Sequence, residues 1–82
     1  MKNFFYVYNL VSRVDEKRHY TGITRNLEKR VLEHNQGACK RTTKCRPWRI
    51  ETAIAFRLEI KARAFEKYLK SGSGREFSHR HF

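Results

Sequence analysis

Arg30 and His34 stand four residues apart in a segment whose apolar positions repeat with helical spacing. At about 100° per residue, Leu27, Val31 and His34 fall within one narrow arc and Arg30 borders it. A permanently charged guanidinium thus meets an imidazole at the edge of a packing face. The plainer alternative is that Arg30 snorkels and His34 fills a gap. Further along, Ala62, Phe65 and Leu69 form a second apolar arc with Glu66 at its margin, the one acid between Ile60 and Arg75. Its neighbours Arg63, Lys67 and Lys70 can simply neutralise it, Lys70 standing at i+4 in the favourable order. Tyr6 and Tyr8 share one face of an extended segment, and Tyr20 can lie across from them. A cross-strand aromatic pair explains these phenols, as does proton transfer beside a phosphate where a cation lowers their high intrinsic pKa.

The elements that must position these groups follow from pattern. Residues 4–11, FFYVYNLV, are aromatic and β-branched with hardly a polar break, which suits a central strand covered on both faces. Ser12 to Arg18 reads as a hairpin connection into an antiparallel strand over His19 to Ile23, with Gly22 marking a close backbone approach or the strand's end. Thr24 or Asn26 can cap a helix through Leu27–His34 that stops near Gly37. Lys40 to Arg49, interrupted by Pro47, is expected to be disordered or ordered by a ligand. Ile50, Thr52, Ile54 and Phe56 alternate with Glu51, Ala53 and Ala55 as a third strand. A second helix runs from about Leu58 through Lys70, ended by Ser71-Gly72-Ser73-Gly74. Arg75 to Phe82 adds a short last helix that packs Phe77 and Phe82.

Eighty-two residues allow one small domain over 1–82 and exclude a second core. A hydrophobic share of 39% with 13% aromatics sustains that core, despite a mean hydropathy of −0.84. Nineteen Lys+Arg against eight Asp+Glu leave a net charge of +11, a field that favours a polyanion and opposes acidic proteins and cationic ligands. Nucleic acid is the leading partner. Cys39 and Cys45 are too few for a disulfide scaffold or a structural zinc site and read as reduced thiols. No secretory leader or membrane span is legible, so a cytoplasmic location is expected.

Taken in order, Tyr6-Val7-Tyr8, Tyr20-Thr21-Gly22, Asn26-Leu27-Glu28-Lys29-Arg30 with His34-Asn35 and Gly37, Pro47-Trp48, and Glu66-Lys67-Tyr68-Leu69-Lys70 resemble the GIY-YIG nuclease domain. The likeness spans nearly the whole chain. It is greatest to small stand-alone bacterial members related to the N-terminal catalytic domain found in the excision-repair excinuclease. The resemblance implies an α+β fold, a three-stranded antiparallel sheet flanked by helices in the order β-β-α-β-α-(α), and a metal-dependent DNA endonuclease, with repair or recombination as its setting. By position it implies that Tyr8 and Tyr20 flank the scissile phosphate, one of them as general base. Arg30 would steady phosphate charge, His34 would hydrogen-bond a tyrosine or phosphate, and Glu66 would hold a divalent metal, Mg²⁺ or Mn²⁺. The chain departs from the family pattern in three places. Tyr6 fills the usual Gly position of the first motif, Thr21 stands where Ile or Val is common, and no Asn follows Glu66.

The basic loop residues Lys40, Arg41, Lys44, Arg46 and Arg49 suit phosphate contacts, which give affinity without sequence information. Solvated surface is the alternative for them, and core packing the ordinary place for Trp48. His79 and His81 carry no assignment. Against the endonuclease stands a non-cleaving nucleic-acid-binding module on the same scaffold, or a basic RNA-associated protein. A protein partner can set the target.

Overall fold

The computed structural model describes residues 3–82. Strands β1 (Phe5–Ser12) and β2 (His19–Thr24) are followed by α1 (Leu27–Asn35), a 3₁₀ turn (Thr43–Cys45), β3 (Trp48–Phe56), α2 (Glu59–Leu69) and α3 (Gly72–His81). The sheet has the order β2-β1-β3 and both pairings are antiparallel. This is the expected α+β architecture with β1 at the centre. The unbroken apolar run has its physical reason here, because every residue from Val7 to Ser12 is buried.

Side chains alternate across β1 and so supply two cores. On one face Val7 packs with Ala62 and Leu69 of α2, ringed by Phe5, Ile23, Phe56, Phe65, Phe77 and Phe82. On the other, Tyr8 and Leu10 pack with Trp48, against Tyr20, Leu27, Val31 and Cys45. Helices α2 and α3 therefore cover one face and α1 the other, with the sheet between them.

Of the two candidate caps, Asn26 takes the role for α1, its side chain accepting from Lys29 N at 3.1 Å. At the other end Gly37 adopts φ 81°. Gly37 N donates to His34 O at 3.2 Å and Ala38 N to Glu33 O at 3.0 Å, the paired closure that a left-handed residue makes possible.

Three expectations change. The alternation assigned to Ile50 through Phe56 is broken by a register shift, since Asn9 pairs with Thr52 while Leu10 pairs with Ile50. That bulge accommodates Glu51 as an extra residue and leaves Ile50 40% exposed. The 40–49 segment is not irregular throughout but holds the 3₁₀ turn and is tied into the fold. Thr43 Oγ1 donates to Cys39 O at 2.8 Å, Ser12 Oγ donates to Cys45 O, and Trp48 Nε1 donates to Thr42 O at 2.8 Å. Finally, Ser71-Gly72-Ser73-Gly74 ends α2 but also begins α3, because Ser71 Oγ accepts from Gly74 N at 3.2 Å as its N-cap.

Candidate active site

The first motif's Tyr8 lies on the central strand and is 1% exposed. Its phenol is 3.0 Å from His34 Nε2, and His34 Nδ1 is 2.8 Å from Thr42 Oγ1. Where the Thr42 hydroxyl donates to Cys39 O at 3.3 Å, it accepts from His34 Nδ1–H and Nε2 accepts the Tyr8 O–H. The imidazole is itself fully buried. Burial, with Arg30 adding to it, lowers the His34 pKa below its usual value and keeps the ring neutral.

Burial likewise pushes Tyr8 up to about 12, against the opposing pull of the Arg30 guanidinium beside it. Arg30 is held firmly protonated, first by the Tyr8 phenol and then by Glu33, whose Oε1 accepts from Arg30 Nη1 at 3.1 Å. Tyr20 completes the group. Its ring centroid is 4.9 Å from that of His34 and 6.4 Å from that of Tyr8, and it is the half-buried member that also lines a surface cleft.

Gly22 explains the spacing of the second motif. It pairs with Tyr8 across the strands, and a Cβ there would stand 2.5 Å from Tyr8 Oη and 2.7 Å from Cζ. Only glycine lets the phenol cross β2 and reach His34. Thr21, the departure in that motif, points to the opposite face and donates from Oγ1 to Asn9 Oδ1, so an internal polar pair stands where the family carries an aliphatic side chain.

Tyr8, Tyr20, Arg30 and His34 are thus brought together by direct contacts. Glu66 stands on α2, half-buried, with Lys70 Nζ 3.2 Å from its Oε2. The i+4 pairing open to it is therefore made. The five loop cations Lys40, Arg41, Lys44, Arg46 and Arg49 are all exposed, while Trp48 is core at 4% exposure. Arg46 lies over Gly37. Arg41 and Arg49 face the cleft.

Two supporting residues had no role assigned from the sequence. Thr42 holds the inner side of the imidazole, its Oγ1 2.8 Å from His34 Nδ1, and only its place among cations in Arg41-Thr42-Thr43-Lys44 marked it. Asn35 ties the end of α1 to β3, with Nδ2 donating to Trp48 O at 3.1 Å and Oδ1 accepting from Trp48 N at 2.6 Å. Its position directly after His34 was the one signal in the sequence.

Among the described residues no group of three or more His, Cys, Asp or Glu is arranged to hold a metal, and no helix is long and apolar enough to cross a membrane. No curated protein and no solved structure matches the chain. The family model of the GIY-YIG catalytic domain does match, over residues 4–79. That span takes in both tyrosine motifs, the Arg30–His34 helix and Glu66, so the chain belongs to the GIY-YIG catalytic domain family, a family of nucleases.

Proposed function

We propose that the chain is a metal-dependent endonuclease that hydrolyses DNA phosphodiester bonds, directed to a DNA structure and serving repair or recombination. The observation carrying this reading is the convergence of Tyr8, Tyr20, Arg30 and His34 from three separate elements into one contact group.

Phosphodiester hydrolysis needs an oriented water, a group to take its proton, and positive charge where the phosphorus centre and departing oxygen become negative. In this reading Tyr20, on the cleft side, faces the phosphate and as a phenolate takes the proton of the attacking water, ending as the neutral phenol. Arg30 places its charge beside the non-bridging oxygens. Tyr8 is too buried to meet substrate and acts by fixing His34, whose ring packs against Tyr20. As the P–O bond to the attacking oxygen forms, the bond to the leaving oxygen breaks, and that oxygen takes a proton from solvent.

Glu66 offers a hard carboxylate whose side chain is 19% exposed. Mg²⁺ binds through one or two carboxylates together with substrate phosphate and retained water, so this donor set fits it. A divalent cation held by Glu66, Mg²⁺ or Mn²⁺, would add positive charge against the phosphate. The lysine pairing lends weight to a second reading, a binding module that no longer cuts, in which Glu66 is an ordinary ion-pair residue.

Incubation of supercoiled plasmid with Mg²⁺, Mn²⁺ or EDTA separates the two. The endonuclease converts plasmid to nicked or linear form only with metal. Retardation of the plasmid in low salt, with no conversion under any metal, establishes the binding module instead.

A further inference from the structure

An open cleft of about 820 Å³ lies where the β1–β2 hairpin end of the sheet meets the C-terminal helices. Its cations are Lys17, Arg18, Arg41, Arg49, Lys70 and Arg75, against two acids, Glu16 and Glu51. Of the acids, Glu51 already stands 3.7 Å from His19 Nδ1. Two aromatic rings border the cleft, Tyr20 from the edge strand and Phe82 from beyond α3. The polar pair of Asn9 and Thr21 also lines it. Asn9 is 5% exposed and carries an amide otherwise unusual in a central strand.

Arg41 and Arg49 bring one side of the 40–49 loop into this cleft, and the two rings distinguish it from a wall of cations alone. A concave basic wall tracks a sugar-phosphate backbone, and aromatic faces stack unpaired bases whatever their identity. A volume of this size accepts molecules on the scale of one or two nucleotides. A duplex keeps its bases stacked inward and presents no base face to such rings.

We propose that this cleft holds an unpaired DNA strand, with phosphates on Arg75, Arg49 and Lys17 and a base against Tyr20 or Phe82. Tyr20 stands on the edge strand, bordering the cleft with its ring centroid 4.9 Å from that of His34, so the strand so held passes round that edge to reach the scissile position. The inference rests on the nuclease reading and deepens it, making the preferred substrate a flap or branch with a single-stranded arm.

The test is fluorescence anisotropy in EDTA, where no cutting interferes. A labelled short oligothymidylate is titrated with wild type, Arg75→Glu and the charge-matched control Lys61→Glu, and each complex is competed with unlabelled duplex of equal length. Arg75→Glu should weaken binding about tenfold and Lys61→Glu less than threefold, with duplex a poor competitor. Crosslinking of a 5-bromouridine strand should mark Tyr20 or the α3 end. Equal losses in the two variants, full competition by duplex, or crosslinks confined to Lys40, Lys44 and Arg46, which do not line the cleft, would overturn the cleft assignment. Plasmid cleavage that persists through such an outcome leaves the nuclease reading standing, so the two can fail separately.

Discussion

At the scale of single residues, the chain from Tyr8 through His34 to Thr42 is the feature most sensitive to chemistry. Neutral His34 is favoured in the folded protein, so its folded pKa lies below the unfolded value near 6.5. The unfolded chain then binds more protons as pH falls through that value, and stability declines below about pH 6.5 and is flat above it. Melting temperatures recorded between pH 5 and 8 should show this decline in wild type and a smaller one in His34→Asn. An identical slope in the variant would rule His34 out as the titrating group. Replacing Gly22 by Ala should cost about 1–3 kcal/mol, because the new methyl occupies the path of the Tyr8 phenol. Thermal melting reads it, and a shift of less than about 2 °C would contradict the packing described. That the tyrosines, Arg30 and His34 border the core was legible from type and spacing. The inequality of the two phenols was not, since alternation places both on one face without saying which of them a helix covers.

Among the elements, legibility followed how local the determining force was. Helix α1 carries its own instructions in Asn26, Leu27, Val31 and Gly37, and the continuous apolar run of β1 announces a strand buried on both faces. The order in the 40–49 loop could not be read because it comes from groups far along the chain. Ser12 Oγ reaches Cys45 O, and Asn35 clamps Trp48 from 13 residues away. The bulge opposite Asn9 and Leu10 likewise depends on pairing with β1, invisible in the alternation of β3 alone. At the α2–α3 corner Gly74 is buried against the carbonyl of Tyr68 with no room for a side chain. Gly74→Ala should therefore destabilise the protein by about 2 kcal/mol through displacement of α3. Amide exchange in residues 72–82 should rise more than in α1, and uniform exchange across both helices would count against a local effect.

For the whole molecule, a net charge of +11 makes salt the main control of binding. Replacing Arg41 and Arg49 together by Ala should lower the slope of log affinity against log salt by about 1.5–2, as expected for two lost phosphate contacts. An unchanged slope would make these loop cations solvated surface. Glu66 belongs to this scale because α2, which carries it, is placed by packing against the sheet and not by anything local to its own motif. Its ammonium partner Lys70 opposes a second cation at the same carboxylate. Lys70→Gln should accordingly strengthen Mn²⁺ binding by the DNA-free protein several-fold, as read by calorimetry.

The central claim is that this chain cuts DNA with a metal supported by Glu66. It is tested most directly by measuring, on one end-labelled branched DNA in Mg²⁺, both binding and cleavage by wild type and Glu66→Ala. The expected result is affinities within about threefold of each other and a loss of cutting of about 10²–10³-fold or more in the variant. Cutting by Glu66→Ala at the wild-type rate would contradict the claim.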